Sequence, residues 1–93
     1  MEKSILKAQA KRKFLKAFED SVKETISGIS SRMMNDELAV SLLLKADVVD
    51  TSQGLKEQFT DELSMKIGLS KKEIDSLIDE AATEMMNQMF ESW

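Results

Sequence analysis

Apolar residues recur along this chain at intervals of three and four, the period of an α-helix. Phe14, Phe18, Val22, Ile26, Ile29 and Met33 lie on one such face. Leu6 and Ala10 extend the stripe upstream, with Lys3 and Lys7 intruding on it. The spacing predicts a first helix over about 3–33, less buried in its opening turns. Gly28, among Ser27, Ser30 and Ser31, predicts a kink or an early end there, since a mid-helix glycine costs about 1 kcal/mol relative to alanine.

Asn35-Asp36-Glu37 reads as the next helix start, with Asn35 capping free N–H groups and two acids in the dipole-favoured first turn. From Leu38 to Val49, nine of twelve residues are apolar. A buried strand competes for so short a run, but its Leu and Ala content and its helical neighbours favour a helix. Apolar on all sides, it reads as the most buried helix of the domain, with Val48 and Val49 beyond its end. Asp50-Thr51-Ser52 reads as another capping cluster, followed by a stripe at Leu55, Phe59, Leu63 and Ile67. Gly68 suits the left-handed residue that closes a helix. Ser70 and Glu73 form the S-x-x-E capping box, and Leu69 with Ile74 fits a hydrophobic staple, so a last helix is expected from Lys71 to about Phe90. The expected fold is all-α: a single four-helix domain over residues 1–93, with no repeats or linkers.

Residues 60–80 resemble a helix-turn-helix motif. Leu63 and Ile67 would face inward from its first helix, and small Ser64 would let the two helices approach. Gly68 would make the turn, Leu69 would plug the corner, and Ile74 and Leu77 would pack from the second helix. The resemblance implies base-reading positions at Ser70, Lys71, Lys72, Asp75, Ser76 and Asp79. The sequence departs from that pattern in its charge. Glu73, Asp75, Asp79 and Glu80 outweigh Lys71 and Lys72, and no Arg, Asn or Gln stands where a bidentate base contact is made. Two readings therefore stand side by side, a DNA-binding corner and a structural one.

Composition narrows the chemistry. The 93 residues include no Cys, His or Pro and three Gly. Disulfides, thiolate nucleophiles, imidazole bases and the usual zinc sites are thereby excluded. Ser4-Ile5-Leu6-Lys7 matches Ser-x-x-Lys in letters only, and Asp47-Val48-Val49-Asp50 lacks the alternating oxygen ligands of a calcium loop. Neither a phosphate-cradling glycine loop nor an acid pair in a setting that would separate two pKa values is present. The expectation is a protein without catalytic residues, metal, cofactor or small-molecule substrate.

Charge is distributed unevenly. Residues 1–16 carry six basic side chains against Glu2, while the remainder carries seven basic and sixteen acidic, for a net −4. A basic, helical N-terminal arm thus precedes an acidic body. Lys7, Lys11, Arg12, Lys13 and Lys16 could meet nucleic acid phosphates, with Lys71 and Lys72 approaching from the last helix. The plainer reading is a solvated helix end whose lysines meet the acidic body at long range. The longest charge-free stretches, Thr25–Ser31 and Leu38–Leu44, are seven residues each, far from the roughly 20 that span a bilayer. No signal-peptide pattern is visible, so the expected location is the cytoplasm, with no membrane partner.

On the last helix, Ile74, Leu77, Ile78, Ala81 and Met85 form an ordinary buried stripe, which Ala82, Met86, Met89, Phe90 and Trp93 widen. That arc either fills the core or leaves a surplus for a partner. Met85, Met86, Met89, Phe90 and Trp93 are the residue types that bind helices and anchor interfaces, and Met33 and Met34 could join them. The function expected is a small regulatory or interaction protein that contacts a protein partner or a second copy of itself through this surface. The alternative is a nucleic-acid-binding regulator using the basic arm.

Overall fold

The computed structural model describes residues 2–91, without the side chains of Phe90 and Glu91. All regular structure among these residues is helical: α1 (Lys3–Ser27), α2 (Ser31–Met34), α3 (Glu37–Gln58), α4 (Asp61–Ile67) and α5 (Lys71–Glu91). The all-α expectation holds. The helix count differs from the expected four, because a one-turn helix, α2, follows the break at Gly28. The three long helices each pack against the other two, and α2 and α4 are connectors, giving an elongated body of 48 × 23 × 17 Å.

The early end at Gly28 is observed. Its N–H donates to the carbonyls of Glu24 and Thr25 at 3.2 and 3.1 Å, closing α1. Ser30 then caps α2, its hydroxyl accepting from the Met33 N–H at 3.3 Å. Asp36, rather than Asn35, caps α3 by accepting from the Ala39 N–H at 3.1 Å.

The expected end of the second helix at residues 48–52 is corrected. α3 continues through Asp50-Thr51-Ser52 to Gln58. Instead of capping, Thr51 lies 3.0 Å from the Ser21 hydroxyl of α1, and Ser21 donates to Asp47 Oδ1 at 2.8 Å. Val48 is 1% exposed and holds this segment in the core. A residue type that caps well can remain mid-helix when tertiary contacts use its side chain.

The true break comes at Phe59, and Thr60 caps α4 by accepting from the Leu63 N–H at 3.2 Å. The Leu55–Ile67 stripe is therefore split between two helices. Leu63 and Ile67, expected to face inward, are each 37% exposed. Ser64 is fully buried, its hydroxyl satisfied by the Thr60 carbonyl at 2.9 Å. Gly68 closes α4 at φ 93°, where its N–H and that of Leu69 both reach the Ser64 carbonyl. The Ser70–Glu73 capping box forms reciprocally: Glu73 N–H donates to Ser70 Oγ at 3.1 Å, and Ser70 N–H to Glu73 Oε1 at 3.2 Å.

The buried side chains form one cluster. It takes Phe14, Phe18 and Val22 from α1, Val40, Leu44 and Val48 from α3, Leu69 from the turn, and Ile74, Leu77, Ile78, Ala81, Ala82 and Met85 from α5. The most buried helix is thus α5, not α3, which corrects the expectation for the Leu38–Val49 run. Packed on α1 and α5 and met at its start by the one-turn α2, α3 buries one side and leaves the other outward.

Candidate interaction surface

The outward side of α3 is apolar over its first three turns. Leu38 is 71% exposed, Leu42 59% and Val49 54%, with Leu43 and Ala46 exposed beside them and Ala39 half-buried. At 3.6 residues per turn, the steps from 38 to 42 to 49 keep these side chains in one column. The column lies opposite Val40, Leu44 and Val48, which bind α3 to the bundle. Leu38 to Val49 spans about 16 Å of helix axis. Met33 and Met34 of α2, at 40% and 49% exposure, immediately precede it in the chain. Single exposed apolar residues are ordinary, but a column of them on one helix face marks a contact surface.

Beside this column runs a cleft of ≈ 640 Å³ between α3 and α5. Val48, Val49, Ala82 and Met86 supply its apolar wall, and Ser52, Gln53 and Thr83 its polar one. Lys56 of α3 and Asp79 of α5 pair across it at 2.7 Å.

The last helix holds its predicted residues differently from a free patch. Met85 is 6% exposed and belongs to the core, while Met86 and Met89 are half-buried against it. The side chain of Phe90, and Trp93 altogether, lie outside the described residues.

The basic arm is drawn onto α5 by direct ion pairs rather than long-range attraction. Glu73 Oε1 receives Lys3 at 3.0 Å and Glu73 Oε2 receives Lys7 at 3.3 Å, while Lys11 pairs with Glu84 at 3.0 Å. The Lys3 hydrogen bond, then the Ser70 N–H, hold the Glu73 carboxyl down to about 2; the Glu84 hydrogen bond raises the Lys11 ammonium above its ordinary value. A cleft of ≈ 410 Å³ between α1 and α5 gathers Lys7, Lys11 and Lys72 together with Glu73 and Glu80, a mixed field. Lys71 donates to Asp75 at 2.7 Å and to the Lys56 carbonyl. Arg12, Lys13 and Lys16 are exposed along α1 and form no ion pair among the described residues.

Sequence reasoning singled out the last helix and passed over Leu38, Leu42 and Val49. The signal was present in the run itself: a helix apolar all round carries more apolar surface than a small bundle can cover. Among the described residues no group of acids could hold a metal, and no helix is long and apolar enough to cross a membrane.

Compared with protein families, with curated proteins and with solved structures, the chain matches none of them.

Proposed function

We infer that this chain is a small non-enzymatic interaction module, and that its contact surface is the outer face of α3 more than the end of the last helix. The observation that carries this reading is the column of Leu38, Leu42 and Val49, each more than half exposed on a helix whose other side is core. Such a column fits an amphipathic helix from a protein partner, laid along it with apolar anchors at matching spacing. The acidic body and the absence of histidine and cysteine also fit a protein that acts by contact rather than by chemistry.

The test is a photo-crosslinking amino acid placed at Leu42, with Lys23 on α1 as the control position, in cells expressing the chain. A covalent adduct with protein, whether another chain or a second copy, is expected from position 42 and absent from position 23. No protein adduct at position 42 would reject the reading.

One observation favours a second reading, a nucleic-acid-binding regulator. Arg12, Lys13 and Lys16 are exposed and without ion pairs among the described residues. Against it, Lys3, Lys7, Lys11 and Lys71 already meet carboxylates that phosphates would have to displace. Anisotropy of a labelled random duplex at roughly 50 and 200 mM salt separates the two, since phosphate contacts weaken steeply over that range.

A further inference from the structure

We propose that the partner covering the outer face of α3 is a second copy of the chain, with the two α3 helices parallel and in register about a two-fold axis. This rests on the reading of that face as the contact surface, and adds who occupies it and in which orientation.

The argument begins with the heptad. Across the outer face, Ala39, Leu42, Ala46, Val49 and Gln53 follow alternating steps of three and four, the spacing of a coiled-coil seam. Alanines at one seam position let two helices come close, and Leu42 with Val49 fill the other. The flanks of this seam differ from each other. Leu38, Lys45 and Ser52 run along one side, and Leu43, Asp50 and Glu57 along the other.

That asymmetry selects the orientation. In a parallel pair each residue of the first flank faces the partner residue five positions on along the second flank. Leu38 then meets Leu43, Lys45 meets Asp50, and Ser52 meets Glu57. Every one of these pairs is compatible, and the two-fold axis makes each of them twice. An antiparallel pair instead sets each flank against its own kind and forfeits the Lys45–Asp50 attraction. Lys45, Asp50 and Leu43 are all exposed, so none must leave the core to take part. Val40, Leu44 and Val48 anchor α3 from behind, on the side where α1 and α5 pack.

The area is also appropriate. Two apposed faces of this length bury on the order of 1,000 Å² in total, the low end for a specific interface. A dimer of roughly micromolar affinity is expected, populated only when the chain is concentrated.

Sedimentation equilibrium of the full chain over about 1–200 μM tests this. The mass should rise with concentration from 10.5 kDa toward twice that value. Lys45→Glu and Asp50→Lys should each weaken association by roughly tenfold or more, because each sets two like-charge pairs across the seam. Mixing these two variants should restore association as a heterodimer, in which both flanks are again opposite in charge. The double variant K45E/D50K should also recover. Lys45 and Asp50 are both exposed, so circular dichroism should show every variant folded. A constant monomer mass across the range would overturn self-pairing, and so would a dimer indifferent to both charge reversals. If the chain stays monomeric while the crosslinker at position 42 captures a different protein, self-pairing fails and the interaction reading stands. If position 42 captures nothing, both fail.

Discussion

The ring of Phe59 stands edge-on to that of Phe14, with centroids 5.5 Å apart and planes at 85°. Phe59 is the residue at which α3 stops, its φ of −94° and ψ of 100° turning the chain toward α4. The contact thus joins the first half of α1 to the end of α3 and sets where the corner begins. Phe14 is buried and Phe59 half-buried, so the pair contributes both area and ring geometry. Phe59→Ala should destabilise the fold by about 2 kcal/mol, less than a fully buried phenylalanine. A double-mutant cycle with Phe14→Leu, read by urea unfolding, should give a coupling of about 0.5–1.5 kcal/mol. Strict additivity would mean the rings do not interact.

The same residue shows what could be read from the chain and what could not. Local signals were legible where they are self-contained: the capping box at Ser70 and Glu73, the closing Gly68, the break at Gly28. These depend on hydrogen bonds within a turn or two. The Leu55, Phe59, Leu63, Ile67 stripe was misleading because a helical period can pass through a bend without losing phase. Asp50-Thr51-Ser52 misled for the opposite reason. Good capping chemistry lay there, but Ser21, 30 residues before Thr51, took it up across the bundle. The outer face of α3 was hidden because the number of neighbours around a helix is a tertiary property. The same nine apolar residues would be mostly buried in a larger bundle and are half exposed in this one.

Glu73 makes the fold sensitive to acid. Its folded pKa is depressed from 4.5 to about 2. A carboxylate with a lowered folded pKa stabilises above its unfolded value, and that contribution is lost as pH falls through the folded value. The thermal midpoint should therefore drop between about pH 4.5 and pH 2. Glu73→Gln should lower the midpoint at pH 7 and flatten this part of the profile. A profile as steep as that of the parent would show that Glu73 does not carry it.

Gly68 is constrained twice. Its φ of 93° lies where an L side chain is strained, and an added Cβ would sit 3.2 Å from Leu6 Cδ1. Gly68→Ala should cost about 1–2 kcal/mol from the backbone alone. Adding Leu6→Ala removes the steric contact but not the backbone strain, so the double variant should gain nothing over the sum of the singles beyond that contact. Gly68→Asn should be milder than Gly68→Ala, because asparagine tolerates the left-handed region better. Chemical denaturation of the three variants checks the order, and an alanine as stable as glycine would contradict the turn geometry.

Ser21 joins α1 to α3 by donating to Asp47 Oδ1 at 2.8 Å, and the other carboxylate oxygen is buried with no hydrogen-bond partner among the described residues. Removing the donor leaves both oxygens of that carboxylate poorly satisfied. Ser21→Ala should therefore cost about 1–3 kcal/mol, as loss of a partner from a buried polar group does. Asp47→Asn should be tolerated better, since its carbonyl oxygen can still accept from Ser21. Equal losses from the two variants, measured by urea midpoint, would mean that the charge and not the hydrogen bond matters at this seam.

The division of α3 into a core side and an outer side can be tested with one residue type. Leu44 is 1% exposed and Leu42, two positions earlier, is 59% exposed. Truncating Leu44 to alanine removes buried methylene groups and leaves a cavity, at a cost of about 2–5 kcal/mol. Truncating Leu42 removes surface that water already reaches, and the monomer should change by no more than about 0.5 kcal/mol. The comparison should be made well below the expected dimer dissociation constant, at nanomolar concentration, where association does not add to the apparent stability of either variant. If the two costs were alike, α3 would be buried all round, and there would be no outer face for any partner to meet.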